Sequence, residues 1–368
     1  MRIKIEEYFE ELETEESYIG YYYSVSETIT IAILGTFCGL RNMKQIQQWA
    51  SDERIREFLS EEFGIYEVPC YSWFTQILGM IKPESFNNCF TQWVMSSNKI
   101  SGKTISLDGK TVCSTAKMEK YKNPLHIVSA QIAELGITLG QQAVDGKSNE
   151  ISAVRELLEL LDISGCMIVA DAMHCQKETA KTIIGKKADY LLSVKDNQPT
   201  LKADIEDYVQ DTMLRKTMNK AVKTEKNRDR IEKRTAFVTS DIDWLEGREE
   251  WANIACIGAI NTQFKTKNGT TNEWHYYISS RDLNAKELLY HARLEWSVET
   301  MHWLLDVHFG EDFCRAAEQK TQENLNIIRK IVLNSMRSFK NSTGSKSAFT
   351  HFMLDCMIEP KRILRFLR

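Results

Sequence analysis

Apolar residues change their rhythm several times along this chain of 368 residues, and each change predicts a different kind of element. From about residue 25 to 98 the spacing is helical. Thr28 to Leu40 is an apolar stretch ended by Gly39, and Met43–Trp49, Arg54–Phe63 and Glu84–Trp93 follow with Pro69 and Pro83 as punctuation. From about Lys103 short apolar runs take over. Strands are predicted at Thr104–Leu107, His126–Ala133 and Ile137–Val144, a helix at Glu150–Leu161, a buried strand at Cys166–Ala170, a helix at Gln176–Gly185 and a strand at Tyr190–Val194. The short break Glu134-Leu135-Gly136 suggests an antiparallel hairpin, and the later helix-separated strands suggest parallel additions. Together they predict a mixed sheet with helices on both faces.

Between about Thr217 and Ala285 strand patterns dominate, at Arg230–Thr239, Ile254–Phe264 and Trp274–Ser279, with Lys267-Asn268-Gly269-Thr270 as a hairpin turn. Helical spacing then returns. Leu294, Val298, Met301 and Leu305 form an apolar stripe, and Glu295, Glu299, His302 and Asp306 form a polar stripe one position along.

Three acidic residues stand out against this pattern. Asp108 follows Ile105-Ser106-Leu107 and precedes Gly109, so it reads as the stop of a short strand, and Asp171 ends the apolar run before it. Ligands of open α/β sheets gather at strand ends and hard cations take carboxylate oxygens, so the pair suggests phosphoryl transfer. A turn residue or a helix cap explains either one alone equally well. Glu299 borders the buried face of its helix, where it can reach a neighbouring sheet or face solvent.

A length of 368 residues with 43% hydrophobic content allows a sizeable core divided into two or three units. No apolar run is long enough to span a bilayer, and the acidic start, Glu6-Glu7 to Glu15-Glu16, is unlike a signal peptide. The nine cysteines are scattered without a Cys-x-x-Cys pair, which argues for a reducing compartment over a zinc site or disulfide framework. Cys175 reads as a buried thiol. A net charge of −4 weighs against nucleic-acid binding, but the segment from Arg315 to Arg368 is rich in bases, among them Arg329, Lys330, Arg337, Lys340, Lys361, Arg362, Arg365 and Arg368. That end is expected to be either a phosphate contact or a solvated tail.

Six blocks carry a resemblance to the DDE insertion-sequence transposases of the H-repeat-associated type. They are Ser106–Thr111, Leu125–Ala130, Lys147–Ile151, Ala170–Lys177, Ala188–Gln198 and Trp296–Val307, in matching order and spacing. The resemblance implies a ribonuclease H-like catalytic core, an N-terminal helical transposase-associated domain and a β-rich insertion. The implied division is 1–100 for the helical domain, 101–216 for the first part of the core, 217–285 for the insertion, 286–340 for the completion of the core and 341–368 for a basic tail.

It further implies that Asp108, Asp171 and Glu299 are the catalytic, metal-binding triad. Two Mg2+ ions, replaceable by Mn2+, would be held there for cleavage of DNA at element ends and joining to target DNA. Without cations, clustered carboxylates repel one another and at least one takes up a proton. Relatives often show Tyr-x2-Arg-x3-Glu-x6-Lys. Here Tyr290 and Arg293 fit its first half, Glu299 lies two positions later than that spacing asks, and the final position is Asp306, a competing carboxylate. Arg293 and His302 are candidates for contacting the scissile phosphate or leaving oxygen.

In the insertion Arg228, Arg230, Arg234, Trp244, Trp251 and Trp274 offer phosphate contacts and stacking platforms, or a small β core. Implied partners are DNA, as terminal repeats and target, and a second copy of the chain, with Ile31, Ile33, Leu34 and Phe37 either at the dimer interface or in the core. The implied location is the bacterial cytoplasm, at the nucleoid when bound to DNA. A domesticated DNA-binding descendant and a nuclease that cuts without joining are the alternatives.

Overall fold

The computed structural model describes residues 5–10, 12–14, 23–112, 124–144, 149–227, 230–266, 269–314, 316 and 318–367. Six helices come first: α1 (Ile5–Phe9), α2 (Val25–Phe37), α3 (Met43–Ala50), α4 (Glu53–Phe63), α5 (Tyr71–Met80) and α6 (Pro83–Ser97). α2 begins with a capping box, in which Ser24 accepts from the Glu27 amide and Glu27 reaches back to the Ser24 amide. Every residue of α2 from Thr28 to Phe37 is buried, because the helix is apolar all round and other helices enclose it. Ile31, Ile33, Leu34 and Phe37 are therefore core, at 2% exposure or less, and a dimer interface built on them is overturned.

The sheet follows, with β1 (Thr104–Thr111), β2 (His126–Ile132), β3 (Ile137–Val144), α7 (Glu150–Leu160), β4 (Met167–Ala170), α8 (Lys177–Gly185), β5 (Asp189–Val194), α9 (Pro199–Gln210) and α10 (Thr212–Thr217). Four long antiparallel strands come next, β6 (Asn219–Asn227), β7 (Arg230–Thr239), β8 (Cys256–Thr266) and β9 (Gly269–Ser279). They do not form a sheet of their own. β9 pairs antiparallel with β5, so all nine strands make one sheet in the order β3-β2-β1-β4-β5-β9-β8-β7-β6. β1, β4 and β5 are mutually parallel and the remaining pairs antiparallel, the mixed sheet the apolar pattern predicts. β8 and β9 form the predicted hairpin, closed by Thr266 opposite Gly269, while Lys267 and Asn268 lie outside the described residues.

Four helices complete the chain: α11 (Ala285–Glu295), α12 (Ser297–Phe309), α13 (Gln319–Thr343) and α14 (Phe349–Ile358). Two differences from the sequence pattern bear on function. The stripe Leu294-Val298-Met301-Leu305 spans two helices, broken at Trp296 with neither Pro nor Gly; α11 packs on β1, β4 and β6–β8, whereas α12 packs on β1 and β2. The basic C-terminal segment is not a free tail. Arg329 and Lys330 are 4% and 1% exposed in α13, which runs through the middle of the helical layer against α2, α5, α6 and β3. Lys361 pairs with Glu61 at 3.0 Å and Arg362 and Arg365 pair with Asp355 at 3.1 and 3.0 Å, so these bases are neutralised internally; Arg368 lies outside the described residues. Arg365 also lies 4.6 Å over the Phe366 ring.

Candidate active site

β1 does not stop at Asp108. The ladder to β2 continues through Asp108↔Ser129 to Thr111↔His126, while the parallel ladder to β4 ends at Leu107↔Ala170. Asp108 thus sits where β1 and β4 part, and Asp171 is the first residue beyond β4. There Asp171 caps a short 3-10 turn, Ala172–His174, accepting from the Met173 amide at 2.9 Å. A carboxylate can cap a turn and still present its second oxygen to a ligand, so the two readings of Asp171 are compatible. α12 crosses above β1 and β2 and brings Glu299 to the same place. Asp108, Asp171 and Glu299 line one cavity of about 300 Å³, together with Ser193, Lys195, Arg293 and Glu295.

This concentration of acid is felt by the groups in it. Burial, reinforced by Glu150, Asp171 and Glu299, pushes the Asp108 carboxyl up to about 6, although the Gly109 amide pulls the other way. Burial and the charges of Asp171 and Asp108 push Glu295 up to about 7, against a weak hydrogen bond from Ser193 Oγ at 3.3 Å and the nearby Lys195 ammonium. Glu295 is a fourth carboxylate that the strand-end argument does not reach. Its signal is its place four residues before Glu299 on the polar stripe. Lys195, at the exit of β5 beside the β4 end, carries no signal apart from topology.

Beneath Asp108 lies a buried bridge of two histidines and a carboxylate. His126 Nε2 donates to Glu150 Oε2 at 2.7 Å and His174 Nε2 donates to Glu150 Oε1 at 3.1 Å, with all three residues at 2% exposure or less. Burial raises the Glu150 carboxyl, but the two imidazole bonds outweigh it and hold it at about 2. The bridge joins β2, the first turn of α7 and the turn that Asp171 caps. Gly109 is required for it, since a Cβ there would overlap His126 Nε2 and the Glu150 carboxylate. Asn149 occupies the α7 cap position without a side-chain bond, and Ser148 and Lys147 lie outside the described residues.

Asp306 points elsewhere. Asp306, Glu311 and Asp312 bring carboxylate oxygens within 4.8 Å of one another, but the Lys110 ammonium lies among them, bonded to Asp306, to Glu311 at 2.7 Å and to Asp312 at 3.4 Å. A cation is already supplied there by the chain itself, so that cluster reads as a buried ion-pair network. His302 is close to Asp108, with Nδ1 3.5 Å from Oδ2, and burial together with the positive Lys330 and Lys110 drives its pKa down to about 3. It is a neutral neighbour of Asp108, almost enclosed, while Arg293 is exposed at the cavity.

The other predicted DNA contacts scatter. Arg234 lines the cavity wall, but its guanidinium is bonded to Glu225 at 2.7 Å and to Glu232. The Arg230 side chain and Arg228 lie outside the described residues. Trp244 stacks on Tyr208 with centroids 4.6 Å apart, Trp274 packs against Phe237 and Tyr276, and Trp251 is 5% exposed; none of the three lines the cavity. Cys175 is buried and its thiol is pushed up to about 12 by burial, so it is an inert core group.

A mixed sheet that delivers two aspartates from adjoining parallel strands and a glutamate from a following helix to one cleft is a ribonuclease H-like core with a β-rich insertion and an N-terminal helical domain. Comparison with known proteins agrees. Residues 101–335 match the transposase DDE domain, and residues 6–94 match the segment described as DDE_Tnp_1-associated. The chain is 31% identical over 331 residues to the "Putative transposase YncI" of Escherichia coli O157:H7, covering 88% of this chain and 84% of that one. It is 30% identical over 331 residues to the "H repeat-associated putative transposase YhhI" of Escherichia coli K12, covering 86% of each. Among solved structures, a piggyBac transposase synaptic complex with hairpin DNA overlaps 98% of this chain and 76% of its own, at a TM-score of 0.47 and 12% identity, too distant to inform the site. The chain belongs to the DDE transposase family, in its H-repeat-associated group. No helix among the described residues is long and apolar enough to cross a membrane.

Proposed function

We propose that this protein cuts DNA at the ends of its own element and joins the freed 3′-hydroxyl to target DNA, with Asp108, Asp171 and Glu299 holding Mg2+ or Mn2+. The observation that carries the reading is the convergence of these three carboxylates, from β1, from the end of β4 and from α12, on one cavity. Their chemistry fits a hard divalent cation: the donors are carboxylate oxygens, crowded enough that burial and like charge lift Asp108 to about 6. Two such ions, when bound, activate the attacking water or 3′-hydroxyl and stabilise the leaving 3′-oxygen.

The remaining groups are assigned to positioning. Arg293 and Lys195, exposed at the cavity, supply charge to the phosphate being transferred. His302, neutral, limits the orientations open to Asp108. The His126–Glu150–His174 bridge fixes the β1–β4 junction so that the carboxylates need not reorganise during the reaction. The protein is proposed to act as a dimer that pairs two element ends, since each chain offers one triad of Asp108, Asp171 and Glu299.

The test is an assay with a duplex carrying the inverted repeat that flanks the coding region, in the presence of Mg2+. Cleavage at the repeat boundary followed by joining to a second duplex is expected. Cleavage with no joined product would reassign the protein as a nuclease, and binding with neither reaction would make it a DNA-binding descendant of a transposase.

A further inference from the structure

The strand register of β6–β9 sorts charge onto opposite faces of the sheet. Residues directly opposite one another share a face, and these ladders run without a bulge. Glu225, Glu232 and Glu273, the acidic residues of the four strands, all fall on the face that also carries Lys223, Arg234 and His275 and that lines the catalytic cavity. The reverse face carries Lys220, Lys226, Lys233 and Lys265 and no acidic residue. Its end nearest β5 is closed by Trp274 and Tyr276 under α9. Its far end is open.

Three of the lysines occupy that open end. Lys226 and Lys265 share a row, through Lys226↔Ile231 and Ile231↔Lys265, and Lys233 lies on the strand between them, two residues along. With strands about 4.8 Å apart and about 3.4 Å per residue, they form a triangle of roughly 8–10 Å on a side. All three are exposed, and none takes part in an ion pair among the described residues. Uncharged polar side chains, Gln263 and Asn272, fill the neighbouring row. Lysines on a terminal strand protect a sheet edge from pairing with other chains. That accounts for Lys226 on β6, but β7 and β8 are interior strands with both edges hydrogen-bonded, so edge protection does not call for Lys233 or Lys265.

We propose that this open lysine face grips the phosphate backbone of duplex DNA, without reading sequence, on the side of the sheet away from the reacting bond. The inference rests on the transposase reading and adds to it a second DNA surface. Charge complementarity selects the partner: three ammonium groups with hydrogen-bonding amides beside them and, among the described residues of this face, neither an ion partner nor an acid to repel a polyanion. Phosphate contacts of this kind fix position and carry no base information.

The test measures binding of a random-sequence duplex by the full-length protein and by its K226Q/K233Q/K265Q variant across a range of salt. Each ammonium that neutralises a phosphate contributes about 0.9 to the slope of log affinity against log salt, so the variant should bind more weakly with a slope shallower by about 2–3. The K226R/K233R/K265R variant should keep the original slope. An unchanged slope in the glutamine variant would overturn the proposal, as would an arginine variant that behaves like the glutamine one. If the unaltered protein binds no duplex at all, the transposase reading itself falls.

Discussion

β2, β4 and β5 are buried along almost their whole length and β1 over its first four residues, whereas β9 is exposed over its first five residues and buried over its last four. The two ends of one sheet are thus built on different terms. In the β1–β5 half, helices cover both faces, and Asp108 placed there is desolvated and raised in pKa. In the β6–β9 half, side chains at the open end keep their water and their freedom, so charge there costs little and is available to a large polyanionic partner. Chemistry that needs preorganisation belongs to the first setting, and adaptable grip belongs to the second.

The largest expected effect separates the halves by activity. Asp108→Asn, Asp171→Asn and Glu299→Gln should each lower cleavage by about 10³-fold or more, the scale of losing a preorganised electrostatic group, while retaining DNA binding. Asp306→Asn should cost far less, because Asp306 serves Lys110. Full activity in Glu299→Gln with loss in Asp306→Asn, measured by nicking of an inverted-repeat duplex, would reverse that assignment.

Stability should divide the same way. Glu150→Ala leaves His126 and His174 buried without their acceptor and should cost about 3–5 kcal/mol in urea unfolding, whereas Lys226→Gln on the open face should fall within about 0.5 kcal/mol of the unaltered protein. Equal midpoints for the two variants would erase the contrast. Smaller than the Glu150→Ala effect is Gly109→Ala, where the added methyl group must push against the His126–Glu150 pair, at about 1–3 kcal/mol. A neutral result would mean the bridge can shift without harm.

The subtlest contrast is with pH. Asp108 and Glu295 have folded pKa values, about 6 and about 7, above their ordinary ones. Ionising them therefore opposes folding: their destabilisation is absent below the unfolded values near 4 and complete once pH has risen through the folded values. In metal-free protein the melting temperature should drop as pH rises from about 4 to about 8, and Mg2+ should restore more of it at the upper end. Glu150 has the opposite sign, with stability lost only as pH falls from about 4.5 toward 2. A melting temperature that climbs over the upper window without metal would contradict the placement of Asp108 and Glu295.

Much of the candidate site was legible before the fold. Asp108 and Asp171 follow apolar runs that read as strands, and Glu299 stands one helical step from an apolar stripe, so periodicity made each a candidate for the rim of a core. Glu150 was visible only as the first residue of a helix. Its partners lie 24 residues away on either side, and no local pattern reports such a contact. β6 went unread because Asn219–Asn227 holds hardly an apolar residue. The C-terminal bases misled for a related reason: composition reports charge, but the ion partners Glu61 and Asp355 decide whether that charge is free.

The sequence by itself determined the kinds of element, their order, and which residues would sit at strand ends or along a buried helical stripe, because those follow from a period of two or of 3.6 repeated over neighbouring residues. Only the tertiary structure decided that β9 joins β5 into a single nine-stranded sheet, that the helix breaks at Trp296, that Arg329 and Lys330 are interior, and that Lys220, Lys226, Lys233 and Lys265 share one face of β6–β8 while the acids share the other. Each of these depends on pairing between segments far apart in the chain. The free energy of such pairing comes from burial and register between partners, which no single stretch of residues contains.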